Sequence, residues 1–330
     1  MSPGSLKPSS RVYPTKSNLE RFLQCVTPVP PSRSLPESCM HELNSLWQPP
    51  RYKDVVEYFT LGDLWGCYDE WGAYGTGTEV QMSSGETVLQ YYVPYLSAVQ
   101  IYSHKTVAAP RGDIVDIESD SWSDDSTSDK LSRSLSNNSS RTWDSISEDS
   151  SNDHDGSSPS RDKLGYLYMQ YFETACPYRR FPLLDKINEL AKAHPGLMTL
   201  KNVDLAPASW MAVAWYPIYH IPSRSTEKDL STCFLTYHTL SSSFQDCGSE
   251  YEDISSSLGL GSKLARSSVD GIALAPFGLA SYKMHGDIWI DQDTSDPRRL
   301  ADLYSAADSW LKQLNVHHHD FNWFTYRSSL

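Results

Sequence analysis

The chain has 330 residues and a formal net charge of −13, with 39% hydrophobic and 12% aromatic residues. This composition suffices for a substantial core in one large domain or two ordinary ones, and the negative charge argues against sequence-independent binding to nucleic-acid phosphates. Six cysteines without C-x-x-C or zinc-like spacing are typical of reduced thiols inside the cell. The longest apolar run has about ten residues against the roughly 20 that span a bilayer. We therefore expect no membrane partner, no metal and no cofactor.

The chain begins with a basic stretch. Residues 1–16 contain three basic residues and no acid, a composition that weakly resembles an organellar transit peptide. The next four residues, from Ser17 to Glu20, are instead typical of a capping box at the start of a helix. We therefore predict a disordered tail over 1–16 and a folded domain from residue 17, with organellar targeting as the alternative.

Residues 113–162 form an acidic, serine-rich insertion. They hold thirteen acids, four bases and seventeen serines, so −9 of the chain's −13 lies here. So little apolar surface cannot offset the entropy lost on ordering, which predicts disorder. The flanks, VLQYYVPYLSAVQIYS before and LGYLYMQYFETACP after, are both rich in tyrosine. Because two such flanks favour a shared core, we predict a long loop within one domain formed by 17–111 and 164–330, rather than a linker between two domains.

The other segments alternate between helical and strand-like patterns. Apolar spacing predicts one helix after Pro182 and a longer one that Asp296 caps and whose apolar stripe ends at Leu314. Strand-like runs are LMTLKNVDL, SWMAVAWYPIYHIP, STCFLTYHTL, GIALAPFGLASYKM with DIWID, and the final FNWFTYR. The turns between them are too short for helical crossovers, so antiparallel pairing is expected. The sequence predicts an α+β fold, with helices packed on one face of a mostly antiparallel sheet.

SWMAVAWYPIYHIP (209–222) is the densest apolar stretch. Its first half is apolar on both faces in strand alternation, as in a central strand covered on both sides, so Trp215 is predicted to lie in the core. Two prolines place the second half at the end of the strand or on an edge. Strict alternation puts Tyr219 on the face of Trp215. Since tyrosines at strand ends often line pockets, Tyr216, Tyr219 and His220 are candidates for a groove.

Acids among aromatic residues are candidates for catalysis. LWGCYDEWGAYG contains Asp69, Glu70 and Trp71, and paired carboxylates beside aromatic rings are what a glycoside hydrolase uses. Asp63, seven residues before Glu70, would share its face if the segment were one helix. The many glycines favour the other interpretation, an irregular segment whose acids cap helices and turns.

The histidines near the end of the chain could form a metal site, but a turn is the favoured interpretation. Adjacent histidines on a regular element cannot all face one ion, so His317–Asp320 (HHHD) is predicted to form a polar helix-to-strand turn. His285 and Asp287 offer two parts of a catalytic triad, but no G-x-S-x-G nucleophile context accompanies them.

The insertion contains candidate phosphorylation sites. A serine there matches a kinase pattern if an acid lies three residues later, a base lies three residues before, or a proline follows. The matching serines are Ser121, Ser126, Ser136, Ser145, Ser150 and Ser158. Each phosphate would add about −1.5 to −2 charge. The alternative is a solvated spacer whose serines have no regulatory role.

Four motifs together resemble one protein family. AWYPIYHIP, LWGCYDEWGAYG, VLQYYVPYLSAVQIY and APFGLASYKMHGDIW are similar to the plant proteins grouped as domain of unknown function 789, over a span from about Ser17 to about Tyr326. The resemblance implies an intracellular plant protein that is not bound to membranes, and it transfers no activity and no catalytic residue. His220 stands where a basic residue, commonly arginine, is expected in similar proteins.

These observations favour a non-enzymatic protein-interaction module of the cytoplasm or nucleus, with unknown protein partners and regulation by phosphorylation of 113–162. Nucleic-acid binding through stacked aromatics is not expected, because no basic groove is readable. The alternative is an enzyme or small-ligand binder, carbohydrate-directed for instance, and a deep pocket would favour it over the module. Its pocket would consist of Asp69, Glu70, Trp71, Tyr216, Tyr219 and His220.

Overall fold

One antiparallel sheet organises the residues that the computed structural model describes, which are 16–36, 55–103, 164–222, 228–244, 271–284, 288–291 and 295–326. The strands are β1 (Arg33–Pro36), β2 (Val55–Tyr58), β3 (Thr76–Gln81), β4 (Thr87–Ser103), β5 (Tyr166–Phe172), β6 (Trp210–Ile221), β7 (Cys233–Thr239) and β8 (Gly278–Tyr282). The helices are α1 (Asn18–Cys25), α2 (Leu61–Gly66), α3 (Asp69–Tyr74), α4 (Leu183–Ala193), α5 (Gly196–Thr199), α6 (Asp296–Gln313) and α7 (His319–Tyr326).

The sheet is built around β4. Strands β3, β4, β6, β7 and β8 are neighbours in that order, and β5 also pairs with β4, while β1 and β2 form a separate hairpin-like pair. β4 has 17 residues. One edge of β4 pairs with β6, and the other edge pairs first with β3 and then with β5. All these pairings are antiparallel, which confirms the predicted α+β fold, and they place the two tyrosine-rich flanks of the insertion side by side.

Helices cover both faces of the sheet, where the sequence predicts only one. On the first face, Trp215 of β6 packs in a core with Phe22 of α1 and with apolar residues of α2, α4 and α5. On the second face, Ala214 packs in another core with residues of α6 and α7, among them Phe324. The alternation of β6 between these two cores confirms the prediction that its first half is a central strand buried on both sides.

Ser97 is an extra residue within β4. The pairing of β4 with β6 shifts register between Leu96 and Ala98. Leu96 belongs to the first core and Ala98 to the second, although two residues of a regular strand would lie on the same face. The inserted serine therefore reverses the alternation of β4, and both halves of this strand keep their apolar residues buried.

A second register shift turns Tyr219 to the other face of the sheet. Tyr91 pairs with Tyr219 and Tyr92 pairs with Pro217, so Ile218 is the extra residue of β6. Tyr92 lies in the first core, so its neighbour Tyr91 faces the second side, and Tyr219 faces the same side. The prediction that Tyr219 shares a face with Trp215 is therefore wrong, because alternation cannot anticipate a bulge.

Several elements form as predicted. Ser17 caps α1, with its Oγ accepting a hydrogen bond from the Glu20 amide at 3.2 Å. Helices α4 and α6 follow their apolar spacing, and β6 and β7 occupy predicted strands. Within GIALAPFGLASYKM, only Gly278–Tyr282 is a strand, and the described residues of DIWID, 288–291, are in no strand.

Two predicted strands are helical. LMTLKNVDL contains part of α5 and a 3₁₀ turn at Asn202–Asp204, and residues 321–326 of FNWFTYR lie in α7. In the second segment the aromatic residues favour a strand locally, but Phe321 and Phe324, three residues apart, are both buried in the second core. The helical spacing of the residues buried in the second core outweighs the local strand preference of the aromatic residues. Both strand predictions are therefore wrong.

Trp215→Ala should lower the free energy of unfolding by about 3–5 kcal/mol, since the Trp215 side chain is fully buried and its Nε1 donates to Thr236 Oγ1 at 2.9 Å. Tyr219, which is 45% exposed, supplies the control, and Tyr219→Ala should cost clearly less. Urea denaturation of both variants measures the difference. A Trp215→Ala variant as stable as the parent contradicts the position of Trp215 in the core.

Candidate interaction surface

The HHHD motif connects α6 to α7 and not to a strand, so the predicted helix-to-strand turn is wrong, and its residues His318 and Asp320 lie in a buried polar cluster. Ser97, Tyr237, His318 and Asp320 are all at most 2% exposed. His318 Nδ1 lies 2.7 Å from Tyr237 Oη, and His318 Nε2 lies 3.0 Å from Ser97 Oγ. Ser97 Oγ donates to Asp320 Oδ2 at 2.5 Å. Arg180, whose side chain is also buried, donates to both Asp320 oxygens at 2.6 and 2.7 Å.

The direction of these hydrogen bonds excludes a catalytic triad. The single proton of Ser97 goes to the Asp320 carboxylate, so His318 Nε2 must donate to Ser97 and Nδ1 must accept from Tyr237. In a serine hydrolase the histidine accepts the serine proton and the acid supports the histidine. Here the acid contacts the serine directly, and Ser97 is closed to any substrate.

The cluster instead joins four segments. Ser97 is the extra residue of β4, Tyr237 belongs to β7, Arg180 follows a 3₁₀ turn at Pro177–Arg179, and Asp320 lies in the first turn of α7. Arg180 also donates through Nε to the Ala175 carbonyl at 3.0 Å. Breaking one side of a buried ion pair costs about 3–5 kcal/mol. The cluster therefore fixes α7 over the middle of the second face.

Two buried histidines make stability depend on pH. Burial lowers the pKa of His318 and that of His238 from 6.5 to about 4. The unfolded chain therefore binds more protons than the folded chain between pH 6.5 and 4, and the free energy of unfolding falls as the pH drops through this window. Burial raises the pKa of Asp320, but hydrogen bonds and charge from Arg180 outweigh it and lower that pKa below its usual range. Loss of the Asp320 contribution therefore comes at more acidic pH.

We expect the free energy of unfolding to be constant between about pH 7 and 8 and to fall towards pH 4 by roughly 3 kcal/mol for each of the two histidines. Denaturant titrations at several pH values measure this slope. His318→Gln, which does not titrate, should show a flatter dependence than the parent. A variant with the parent's slope would contradict a neutral His318.

The sheet separates residues that the enzyme hypothesis brings together. Trp71 of α3 packs on the first face, with its ring centroid 5.8 Å from that of Trp215. Tyr216 packs on the second face against Phe324. Asp69 and Glu70 are exposed on the first turn of α3. The sheet therefore lies between the ring of Trp71 and that of Tyr216.

The other predicted site residues have separate environments. Asp63 caps α2 through Thr60 and pairs with Arg33 at 2.9 Å, so it is not on one helix with Glu70. His220 follows Tyr219 in β6 and pairs with Gln90 in the ladder, which directs it away from the face of Tyr219. The serines of 113–162, and His285 with Asp287, lie outside the described residues.

One end of the second face is open. Leu89, Tyr91, Tyr219 and Ile221 lie together there, and we call these four residues the tyrosine face. The Tyr91 and Tyr219 rings are stacked with centroids 4.5 Å apart, and Ile221 is 54% exposed. Within the described part of the chain, α6 and α7 pack mainly on β7 and β8, and Tyr219 and Ile221 stay exposed. The sequence indicates Tyr219 as a groove candidate because it lies at a strand end, but strict alternation assigns it to the wrong face and does not indicate Leu89, Tyr91 or Ile221 beside it.

Gly77 and Tyr74 help to position the side chains of the tyrosine face. A Cβ at Gly77 would lie 3.1 Å from Leu89 and 3.3 Å from Tyr91, so glycine gives these two side chains room to extend over β3. Tyr219 Oη donates to the Tyr74 carbonyl at 3.3 Å, at the end of α3. Tyr219 is thereby held by its ring, which stacks on that of Tyr91, and by its hydroxyl, which donates to Tyr74.

A cleft of about 480 Å³ adjoins the tyrosine face. Its volume is within the range of ligand sites. Burial raises the pKa of the Cys25 thiol, so this cysteine stays protonated and is a poor nucleophile. Leu89 belongs to both the cleft and the tyrosine face, and Gly77 lines the cleft next to Leu89 and Tyr91. The lining residues are Lys16, Arg21, Gln24, Cys25, Gly77, Glu79 and Leu89.

Within the described part of the chain, no helix is both long and apolar enough to cross a membrane. The same residues contain no group of three or more histidine, cysteine or acidic side chains that could hold a metal ion.

Comparison with known proteins gives one match. A family model described as "Protein of unknown function (DUF789)" matches residues 17–324. No curated protein and no solved structure matches the chain. The function is therefore inferred from the surface itself.

Proposed function

Because the chain belongs to the DUF789 family, whose description names no activity, we propose from its surface that it is a protein-interaction module. The observation that supports this is the tyrosine face, an ordered group of apolar side chains that the helices leave open. Contiguous exposed apolar surface is typical of sites where another protein binds. The proposed partner covers this face with an apolar segment.

Stacked tyrosines suit such a role. A tyrosine ring gives a large contact area and has few rotatable bonds to fix on binding. Tyr91 and Tyr219 already hold each other, and the hydroxyl of Tyr219 is bonded to Tyr74, so little further ordering is needed. Tyrosine is also enriched among the residues that contribute most to interface energy.

The separation of Trp71 from Tyr216 supports interaction over catalysis. A glycoside hydrolase needs two carboxylates on either side of one bound sugar. Asp69 and Glu70 share the exposed first turn of α3, and the sheet lies between the ring of Trp71 and that of Tyr216.

We further propose that the module acts in the cytoplasm or nucleus of a plant cell and that phosphorylation of 113–162 regulates it. The acidophilic patterns at four serines support the second point.

Photo-crosslinking tests the interaction surface. The full chain carries p-benzoylphenylalanine in place of Tyr219 or, as a matched control, in place of Tyr166, a 59% exposed strand tyrosine opposite Ser103. In plant extract we expect a discrete protein adduct from position 219 that position 166 does not give. Adding Tyr91→Ser should reduce this adduct by about tenfold, since the stacked partner is lost. The same adducts from both positions, or none from 219, would overturn the proposal.

The regulatory part has its own test. The crosslinking chain is treated with an acidophilic kinase or with phosphatase before it meets the extract. We expect the yield of the 219 adduct to change by at least about threefold, because each phosphate adds about −1.5 to −2 charge. A chain in which Ser121, Ser126, Ser145 and Ser150 are all changed to alanine should not respond. Equal adduct yields after both treatments would contradict regulation by phosphorylation but would not contradict the interaction surface.

A further inference from the structure

We propose that the cleft beside the tyrosine face binds a carboxylate of the partner, so that the module recognises a protein segment in which Asp or Glu lies within a few residues of an apolar side chain. This inference rests on the proposed function and names the chemistry of the partner. It follows from the charge, the rigidity and the position of the cleft.

The cleft is locally cationic in an anionic chain. Lys16 and Arg21 line it with Glu79 as the one acid among the lining residues, while the whole chain carries −13. Arg21 Nη1 and Glu79 Oε2 form an ion pair at 4.0 Å, which is too long for a hydrogen bond, so Glu79 accepts no hydrogen bond through this contact. The guanidinium has five N–H donors and matches a carboxylate in a bidentate geometry.

Arg21 is held on a fixed helix. Asn18 at the start of α1 donates to the carbonyls of Gln81 and Ile288 at 2.8 and 2.6 Å and accepts from the Gln81 amide at 2.8 Å. At the other end, Thr76 donates to the Cys25 carbonyl at 3.2 Å. α1 is thereby tied along the edge strand β3. Arg21 is positioned before a partner arrives, which lowers the entropy lost on binding.

Arg21 is partly shielded from water. Its side chain is 22% exposed, and an ion pair formed at such a position is screened less by salt than one on the open surface. Lys16 is more exposed and donates to Gln24 Oε1 at 3.0 Å. Arg21 is therefore the expected main anchor, with Lys16 adding attraction at the rim.

The cleft and the tyrosine face meet at Gly77 and Leu89. Both residues line the cleft, and a Cβ at Gly77 would touch Leu89 and Tyr91. A partner side chain on the tyrosine face and a charged one in the cleft must therefore come from neighbouring positions of one segment. An extended chain advances about 3.3 Å per residue, so the two positions lie within a few residues.

A carboxylate fits the charge of the lining better than a phosphate does. Two cations and one acid leave a net charge of +1 in the cleft. A single carboxylate neutralises this charge, whereas a phosphate with about −1.5 to −2 would add an excess beside Glu79. A basic side chain would face Lys16 and Arg21 with like charge.

Peptide selection tests this chemistry. A library of random peptides displayed on phage is selected on the full chain, and synthetic copies of the enriched peptides are titrated by fluorescence anisotropy. We expect Asp or Glu within a few residues of an aromatic or aliphatic residue. Arg21→Glu should weaken binding by at least about tenfold and Lys16→Glu by less, and binding by the parent should weaken as salt rises. Replacing the peptide acid with lysine should restore binding to Arg21→Glu.

The matched control is Arg298→Glu. Arg298 is 89% exposed in its side chain and belongs to α6, which packs against β8 at the opposite edge of the sheet. This variant should bind within about twofold of the parent, as expected for a charge remote from the site. Thermal melts establish that each charge variant is folded before it is titrated.

Two results overturn the carboxylate anchor. One is a chemistry other than carboxylate recognition: either the enriched peptides contain no acid, or copies with phosphoserine in place of the acid bind more tightly than the acidic peptides. The other is a folded Arg21→Glu chain that binds acidic peptides as tightly as the parent does. If the Tyr219 adduct persists in Arg21→Glu, the interaction surface stands and only the anchor fails. If Tyr219 gives no adduct at all, the proposed function itself fails.

Discussion

The pairing of β4 with β6 is the constraint on which the rest of the structure depends. Each strand contains one extra residue, Ser97 in β4 and Ile218 in β6, and each insertion reverses which side chains face which core. The first insertion lets both halves of β4 keep apolar residues buried. The second turns Tyr219 out of the first core and onto the open end of the second face.

The polar cluster at Ser97 decides how far the second face is covered. The backbone carbonyl of the inserted Ser97 accepts from the Glu173 amide at 2.9 Å, and its side chain contacts His318, just before α7, and Asp320 within α7. Because Arg180 holds Asp320 from the other side, α7 is fixed at the middle of the sheet. The strand ends beyond it remain open, so the position of the tyrosine face follows from the burial of the cluster.

The sequence predicts local secondary structure better than it predicts which distant residues contact one another. α1, α4, α6 and the first half of β6 follow from capping and periodicity, which are written in neighbouring residues. The burial of His318 depends on Ser97 and Tyr237, which are 221 and 81 positions away. The orientation of Tyr219 likewise depends on its register against Tyr91. Both site errors therefore concern interactions between distant segments, which no local pattern records.

The net charge of the chain is distributed unevenly. Nine of the thirteen net negative charges lie in 113–162, so the remainder of the chain is close to neutral. Two cations and one acid line the cleft beside the tyrosine face, and against a nearly neutral background these few charges can set the local potential. The affinity of the proposed cleft for an acidic segment therefore depends on Lys16, Arg21 and Glu79 rather than on the charge of the whole chain.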